Sequence, residues 1–430
     1  SRGIGMKGVI MAGGFGTRLK PLTIHRPKPM VPIANRPIME HIVDLLGRHG
    51  ITDLISILYF QPEHITEYFG DGSAFGVRMR YATADADYGT AGAVRNAWDL
   101  IEGDRVLVIS GDVLTDFDLS EIVAAHEARE AEATIALTHV ENPLAFGIVI
   151  ADPESGRIER FLEKPTWGEV FSDTINTGIY VLEPEALSRV PPETNFDFSK
   201  DLFPQMLREE ARLLGHVAQG YWRDVGNLAE YRRANDDVLA GRVRIQPRGE
   251  RREHDGANLW GEPGARLGRD VHLAGTVLLG RGAQVGRGAI LENVVVGAGC
   301  EIGDGAELRN VVLWEGCEIG AGARISETVC AGGVRVGEGA LVRENTILSD
   351  RAEVGAFSVV GPNVKVWPDK VVEDRAVLTH SLIRGEAWER SLFHGARVSG
   401  IPNAELTPEV VSRLGGAYGS MLGPGSYIAT

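Results

Sequence analysis

The sequence predicts an α/β domain built on a mixed sheet, followed by a parallel β-helix. Three features carry this expectation. Up to about residue 241, apolar runs of strand length alternate with amphipathic helical stretches. Between 133 and 182 several strand-like runs follow one another with little helix between them, which favours antiparallel members over a purely parallel sheet. Beyond 263 the chain repeats itself every 17 residues.

In chain order, Val9, Ile10 and Met11 form the first strand, 37–49 a helix stopped by Gly50, and 54–59 and 106–110 further strands. The runs 133–139, 147–150, 158–162 and 176–182 complete the sheet of a domain covering 6–241. Residues 242–262 contain Arg242, Arg244, Arg248, Arg251 and Arg252 and read as a solvated linker. The β-helix is expected over 263–370. There Val285-Gly286, Ile302-Gly303, Ile319-Gly320 and Val336-Gly337 recur at one place in the repeat. Gly288, Gly305, Gly322 and Gly339, each followed by Ala, recur at another. Apolar residues at intervals of five or six, such as Val285, Leu291, Val296 and Ile302, put one inward side chain on each face of a three-sided coil. Cys300 and Cys317 are equivalent positions in successive coils, about 4.8 Å apart across a strand pair. With Ala283 and Val334 they read as a buried ladder of small residues rather than a disulfide.

The 54 glycines among 430 residues stand well above the roughly 7% of an average chain, and the repeat uses many of them. A formal net charge of −15 weighs against nucleic acid or an anionic membrane as partner, so an anionic substrate has to be caught by local cations. No apolar run approaches the roughly 20 residues of a membrane span, and no leader pattern opens the chain. The expected setting is the cytoplasm, with reduced thiols. The three cysteines have neither C-x-x-C nor zinc-site spacing.

The loop after the first strand reads G-G-F-G-T-R-L-K-P-L-T-I-H-R-P-K-P. Gly13, Gly14 and Gly16 let backbone N–H groups approach an anion, and Arg18 and Lys28 add two charges. Such a loop suits a nucleoside triphosphate, although a glycine-rich turn with scattered charges has the same composition. Neither the dinucleotide fingerprint nor the Walker pattern is present. Ser110-Gly111-Asp112 places a carboxylate directly after a strand, where open sheets bind ligands. Trp222-Arg223-Asp224-Val225-Gly226 offers a second. Brought together, two Asp can hold Mg²⁺ through hard oxygen ligands. Singly, each serves equally well as a cap or turn residue. Glu163-Lys164 pairs an acceptor with a cation at a strand end, and Tyr88 to Ala93 form a small-residue turn against which a flat base could lie. Alone, these two read equally as a surface ion-pair residue and a helix N-terminus.

In order, G-G-F-G-T-R-L, Y-G-T-A-G-A, S-G-D, F-G-I-V, E-K-P, N-T-G-I-Y and W-R-D-V-G resemble the sugar-1-phosphate nucleotidyltransferases over about 6–241, and the trailing repeat is similar to the left-handed hexapeptide-repeat β-helix of mannose-1-phosphate guanylyltransferases. The resemblance implies a Rossmann-like domain that joins an NTP to a sugar 1-phosphate, releasing pyrophosphate, with Mg²⁺ as cofactor. It implies that Gly13, Gly14, Gly16 and Thr17 cradle the triphosphate while Arg18 and Lys28 bind phosphates. Gly89, Thr90 and Gly92 would lie by the base and ribose, and Asp112 and Asp224 would hold the metal. Gly147, Glu163, Lys164, Asn176 and Thr177 would line the sugar-phosphate pocket. Two departures bear on base and sugar preference: Ala84-Asp85-Ala86-Asp87 stands where the family often has Glu and Leu, and Ser110 where Asn is frequent.

Residues 371–430 end in a segment that resembles the opening of a phosphomannomutase domain, with Ser399 where mutases carry Arg, and read as either a truncated piece or a natural remnant without mutase activity. Thr407-Pro408-Glu409 is a good helix start. The mutase-like tail points to GTP and mannose 1-phosphate. Alternatives are a glucose-1-phosphate thymidylyl- or uridylyltransferase, and a catalytically silent regulatory protein that binds nucleotide sugars. A homo-oligomer through the β-helix or the tail is expected.

Overall fold

β1 (Met6–Met11) runs through the middle of a mixed sheet covered on both faces, so Val9 and Ile10 are both apolar and both fully buried. α1 (Ile38–Arg48) turns Ile38, Ile42, Leu45 and Leu46 to the core and gives way to Gly50, whose φ of 76° suits a residue without Cβ. β2 (Asp53–Leu58), β3 (Arg78–Thr83) and, beyond α2 (Gly89–Asn96), β4 (Arg105–Ser110) extend the parallel part. β1 and β4 pair from Met6↔Arg105 to Met11↔Ser110, so they end level. β5 (Val113–Thr115) and α3 (Leu119–Ala128) precede β6 (Ala133–His139), β7 (Gly147–Ala151), β8 (Ile158–Glu163) and β9 (Thr174–Leu182). As expected from the close spacing of these runs, β9 is antiparallel to both β4 and β6. β10 (Leu213–Val217) then adds parallel to β6. The main path is β8-β7-β9-β4-β1-β2-β3. β11 (Trp222–Asp224) pairs with β5 as a separate antiparallel ribbon, and α4 (Leu228–Leu239) follows.

The computed structural model describes residues 6–163, 174–383 and the short stretches 393–394, 397–398 and 411–413. It separates into two units, 1–381 and 382–430. In the first, the 17-residue repeat forms a parallel coil. One face is a ladder of two-residue strands in which Val285, Ile302, Ile319, Val336, Val354 and Val372 lie in register. Asn293, Asn310 and Asn345 turn corners with φ between 50° and 56°, a conformation Asn tolerates better than most residues. Ala283, Cys300, Cys317 and Val334 are all fully buried, and the cysteines are free thiols.

The Arg-rich stretch 242–262 is not a solvated linker. Glu250–His254 pairs antiparallel with Ala257–Gly261, which joins the first coil strand, His272–Leu279, in parallel. Ala257 and Leu259 face the coil interior, which is why this stretch is strand. Arg248 places Nη2 2.6 Å from both carboxylate oxygens of the buried Glu40 on α1. The coil also continues past 370, through Val371–Val372 and Val377–Leu378. Nor are the two parts of this unit independent. Leu278, Val295, Val312, Trp314, Val329 and Ile347 of the coil belong to the same buried cluster as Ile10, Ile38 and Tyr231.

In the second unit Phe393–His394 pairs antiparallel with Arg397–Val398, and 411–413 is helical. The mutase-like signature and the start of the helix expected from Thr407 lie outside the described residues.

Candidate active site

The site forms where β1 and β4 end. Gly111 N–H donates to Met11 O at 2.8 Å, and a Cβ on Gly111 would stand 2.7 Å from that oxygen, so only glycine lets the strand ends close this tightly. Asp112 is thereby set beside the glycine-rich loop. Lys28, at the start of the short turn Lys28–Met30, is 6% exposed and places Nζ 2.5 Å from Asp112 Oδ2. The β5–β11 ribbon brings in the second carboxylate: Asp224 pairs with Val113, and Val225 N–H donates to Asp112 O at 3.0 Å. A Cβ on Gly226 would lie 3.0 Å from Asp224 Oδ2 and 3.3 Å from Arg18 Nη2, so Arg18 stands beside the same carboxylate.

Burial, and then the negative charge of Asp112, push the Asp224 carboxyl up to about 6, while Lys28 and Arg18 oppose the rise. Two carboxylates held so close that one resists ionisation form a donor set that fits a hard divalent cation.

Two cavities meet at this point. One, of about 400 Å³, is lined by Gly13, Gly14, Phe15, Lys28, Tyr59, Asp87, Tyr88, Gly89, Thr90, Ser110 and Asp112. The other, of about 230 Å³, is lined by Ser110, Asp112, Phe146, Gly147, Asn176, Thr177, Trp222 and Asp224. Ser110 and Asp112 belong to both, so contents of one cavity would face contents of the other across Asp112. A third, of about 860 Å³, runs along the ladder face of the coil and shares no lining residue with these two.

The nucleotidyl transferase family matches residues 7–241, and the LbH domain of EIF2B subunit epsilon matches 257–360. The chain belongs to the nucleotidyl transferase family. A mannose-1-phosphate guanylyltransferase of Mycobacterium tuberculosis is 36% identical over 293 residues, 67% of this chain and 78% of that protein. A mannose-1-phosphate guanyltransferase of Schizosaccharomyces pombe is 37% identical over 53% of this chain and 62% of its own length. A UTP–glucose-1-phosphate uridylyltransferase of Synechocystis is 34% identical over 56% and 65% respectively. Among solved structures, one described as a glucose-1-phosphate thymidylyltransferase from Bacillus anthracis, in complex with a sucrose, aligns with TM-score 0.50 and 28% identity. It covers 56% of this chain and 98% of that one.

Within the nucleotidyl transferase domain, Gly13, Gly14, Lys28, Gly89, Thr90, Asp112, Gly147, Asn176, Thr177 and Asp224 line the paired cavities. Gly16, Thr17, Arg18 and Gly92 do not. A Cβ on Gly16 would lie 3.0 Å from Lys28 Cβ, and one on Gly92 2.3 Å from Thr194 O, so both glycines serve close packing behind the site. Thr177 spends its hydroxyl on Ala136 O at 2.7 Å, and Asn176 Nδ2 donates to Tyr180 OH and Ser199 Oγ at 3.0 and 3.1 Å. Glu163 closes β8, and Lys164 lies outside the described residues. The residues the sequence reading missed are aromatic. Phe15 stands edge-on to Tyr59 at 5.4 Å in the larger cavity, and Phe146 edge-on to Trp222 at 5.5 Å in the smaller. Both pairs abut motif residues, Phe15 inside the glycine run and Trp222 two before Asp224, and that adjacency was the available signal.

Proposed function

We propose that the chain joins an NTP to a sugar 1-phosphate, GTP and mannose 1-phosphate before other pairs, giving GDP-mannose and pyrophosphate. The observation that carries this reading is the pair of cavities sharing Ser110 and Asp112. The larger, with Gly13, Gly14, Lys28 and the rings of Phe15, Tyr59 and Tyr88, suits a nucleotide, and the smaller, with Phe146 and Trp222, suits a sugar face. The guanylyltransferase names of the M. tuberculosis and S. pombe relatives supply the choice of substrates.

A sugar-phosphate oxygen already carries negative charge, so no strong general base is needed; repulsion from the triphosphate is the obstacle. That oxygen forms the new bond to the α-phosphorus as the bond from the α-phosphorus to the departing bridging oxygen breaks, and pyrophosphate leaves with the electron pair. Lys28 and Arg18 offset the repulsion and stabilise the equatorial charge, while the two cavities fix the line of approach. Asp112 and Asp224 would hold Mg²⁺, which when bound supplies further countercharge to phosphate oxygens. Assembly into a homo-oligomer through the β-helix or the tail belongs to the same reading and is measurable by light scattering.

The test is pyrophosphate release with several NTPs against several sugar 1-phosphates in Mg²⁺. GTP with mannose 1-phosphate is expected to lead. A lead by UTP or dTTP with glucose 1-phosphate would move the reading toward the uridylyltransferase relative. Release with no pair would refute catalysis in favour of a silent regulatory protein.

A further inference from the structure

One place in the coil departs from its repeat. Gly280, Gly297 and Ala331 occupy equivalent positions 17 residues apart, with Ser349 one coil on, and all are small; the residue between Gly297 and Ala331 is Trp314. Its indole is 1% exposed and heads the largest fully buried side chains of the described residues. The coil interior does not need it, because its neighbours in the repeat manage without a large side chain.

What Trp314 touches is the nucleotidyl transferase domain. Its ring lies under the Arg26 guanidinium, 4.7 Å from centroid to Cζ, and the adjacent Glu315 ion-pairs with the same Arg26. Trp314 Nε1–H donates to Tyr231 OH at 2.9 Å, and Tyr231 OH donates to Pro32 O at 2.6 Å. Neighbouring coils add two more ties. Ser349 Oγ donates to Pro21 O at 2.8 Å, and Asn35 Nδ2 donates to Val296 O at 2.9 Å. The segment 21–35 is therefore fastened to the coil directly at Pro21, Arg26 and Asn35, and at Pro32 through Tyr231. Lys28 sits inside that span, two residues past Arg26, with its ammonium on Asp112.

We propose that Trp314, with Arg26 and Glu315, is a positioning residue for Lys28, so that the β-helix forms part of the catalytic apparatus. The inference rests on the nucleotidyl-transfer reading for its effect on turnover. Charge stabilises a transition state most when it is already in place and nothing has to reorganise. A cation on a turn of three residues has little rigidity of its own. Three direct ties to stacked coils, each coil itself hydrogen-bonded to the next, and a fourth relayed by Tyr231 provide it. Misplacement of a catalytic group by about 1 Å can lower turnover on the order of 100-fold.

The experiment uses the full chain with Arg26→Met, Trp314→Leu, Trp314→Phe and Lys28→Met. Turnover and KM are measured by pyrophosphate release, folded fraction by urea titration, and backbone hydrogen exchange over 21–35 by mass spectrometry. Arg26→Met and Trp314→Leu should lower kcat about 10- to 100-fold, with the KM for sugar 1-phosphate within about 3-fold of the parent and exchange over 21–35 accelerated. Trp314→Phe, which keeps a ring under Arg26, should restore most of the turnover. Adding Arg26→Met to Lys28→Met should cost little more, because both act through one ammonium. Folded variants with parental kcat, with unaccelerated exchange, or with losses that add in full to that of Lys28→Met would overturn the proposal. If the unaltered chain releases no pyrophosphate, the activity reading fails separately, and accelerated exchange in Arg26→Met still supports the fastening.

Discussion

Replacing Gly92 by Ala sets two effects of opposite sign against each other. Gly92 lies within α2, where exchanging glycine for alanine ordinarily stabilises by roughly 0.5–1 kcal/mol. The added Cβ, however, would stand 2.3 Å from Thr194 O, 3.3 Å from Tyr88 Cβ and 3.4 Å from Phe196 N. Ordinary contact starts near 3.4 Å, so the nearest atom is about 1 Å too close. That atom is a backbone carbonyl whose loop is tied down on both sides. Gly92 N–H donates to Phe196 O at 2.9 Å, Phe196 N–H to Tyr88 O at 3.0 Å, and Asn195 Nδ2 to Asp87 O at 3.0 Å. Relief requires the helix or the loop to move, at the upper end of the roughly 1–3 kcal/mol usual for overpacking. The clash wins, and a net loss of about 2 kcal/mol is expected. The same movement displaces Asp87, Tyr88, Gly89 and Thr90, which wall the larger cavity, so the KM for the nucleotide should rise more than that for the sugar phosphate. Urea unfolding and steady-state kinetics read both effects. Gly47→Ala in α1 is the control, since its Cβ would meet only Val77 Cγ1 at 3.7 Å and should stabilise by about 0.5 kcal/mol. A Gly92→Ala chain as stable as the parent with unchanged nucleotide KM would refute the packing argument.

Three further outcomes are expected. Asp112→Asn should lower pyrophosphate release at least about 100-fold, as loss of a group acting on the reacting charge does. Asp112 is a third exposed and Asp224 remains as a countercharge for Lys28, so stability should fall by only about 1–2 kcal/mol, less than for a fully buried pair; parental turnover in this variant would count against the assigned role. His41 is buried, its Nε2–H donating to Ile33 O at 2.9 Å, and burial, followed by the charge of Arg36, lowers its pKa from 6.5 to about 4. Its neutral form is favoured by folding, so its contribution is complete above pH 6.5 and is lost as pH falls toward 4, by roughly 3 kcal/mol at 1.36 kcal/mol per unit. Urea midpoints between pH 7.5 and 4.5 should fall less steeply in His41→Gln, and identical slopes would exclude His41 as the source. Cys300, Cys317 and Cys330 are fully buried, with the first two donating S–H to Trp314 O and Ala331 O. An aromatic disulfide reagent should find no fast thiol in the native chain and three after denaturation, whereas rapid native reaction would mean that the coil opens locally.

The architecture was legible because both periodicities are strong and local. The expected elements were found to within a residue or two, from the helix expected at 37–49 and found at Ile38–Arg48 to the strand expected at 176–182 and found at Thr174–Leu182, but the sheet strands Arg78–Thr83 and Leu213–Val217 were not foreseen. The coil showed itself because each turn has nearly constant length. The stretch 242–262 was read as a linker because its arginines do largely face solvent, while its strands are set by pairing with the coil. Here Arg248 answers Glu40, Arg242 answers Asp237 and Arg244 lies near Asp116, acids of the first domain more than a hundred residues away in two of the three cases. Gly92, expected beside the base and ribose, lines neither cavity. Its constraint comes from Thr194, a contact no local pattern encodes. Trp314 was not singled out in the sequence, and only the placement of Arg26 and Tyr231 gives its indole a purpose.

The spacing of the two carboxylates is set by backbone rather than by side-chain choice. Asp112 follows β4, whose end is locked to β1 through Gly111, and Asp224 ends β11, whose register on β5 is fixed by Asp224↔Val113 and by Val225 N–H on Asp112 O. Lys28 is fixed in turn by a segment whose ties run to the coil. The glycine-rich loop thus has little freedom at either end: its start is the continuation of a central strand and its finish is held by stacked coils. In a chain of net charge −15, an anionic substrate meets general repulsion until it reaches this loop. Attraction has to come from a few cations, and a few cations suffice only when each is held where the charge will develop. A rigid coil behind the loop supplies that constraint without adding positive charge to the site.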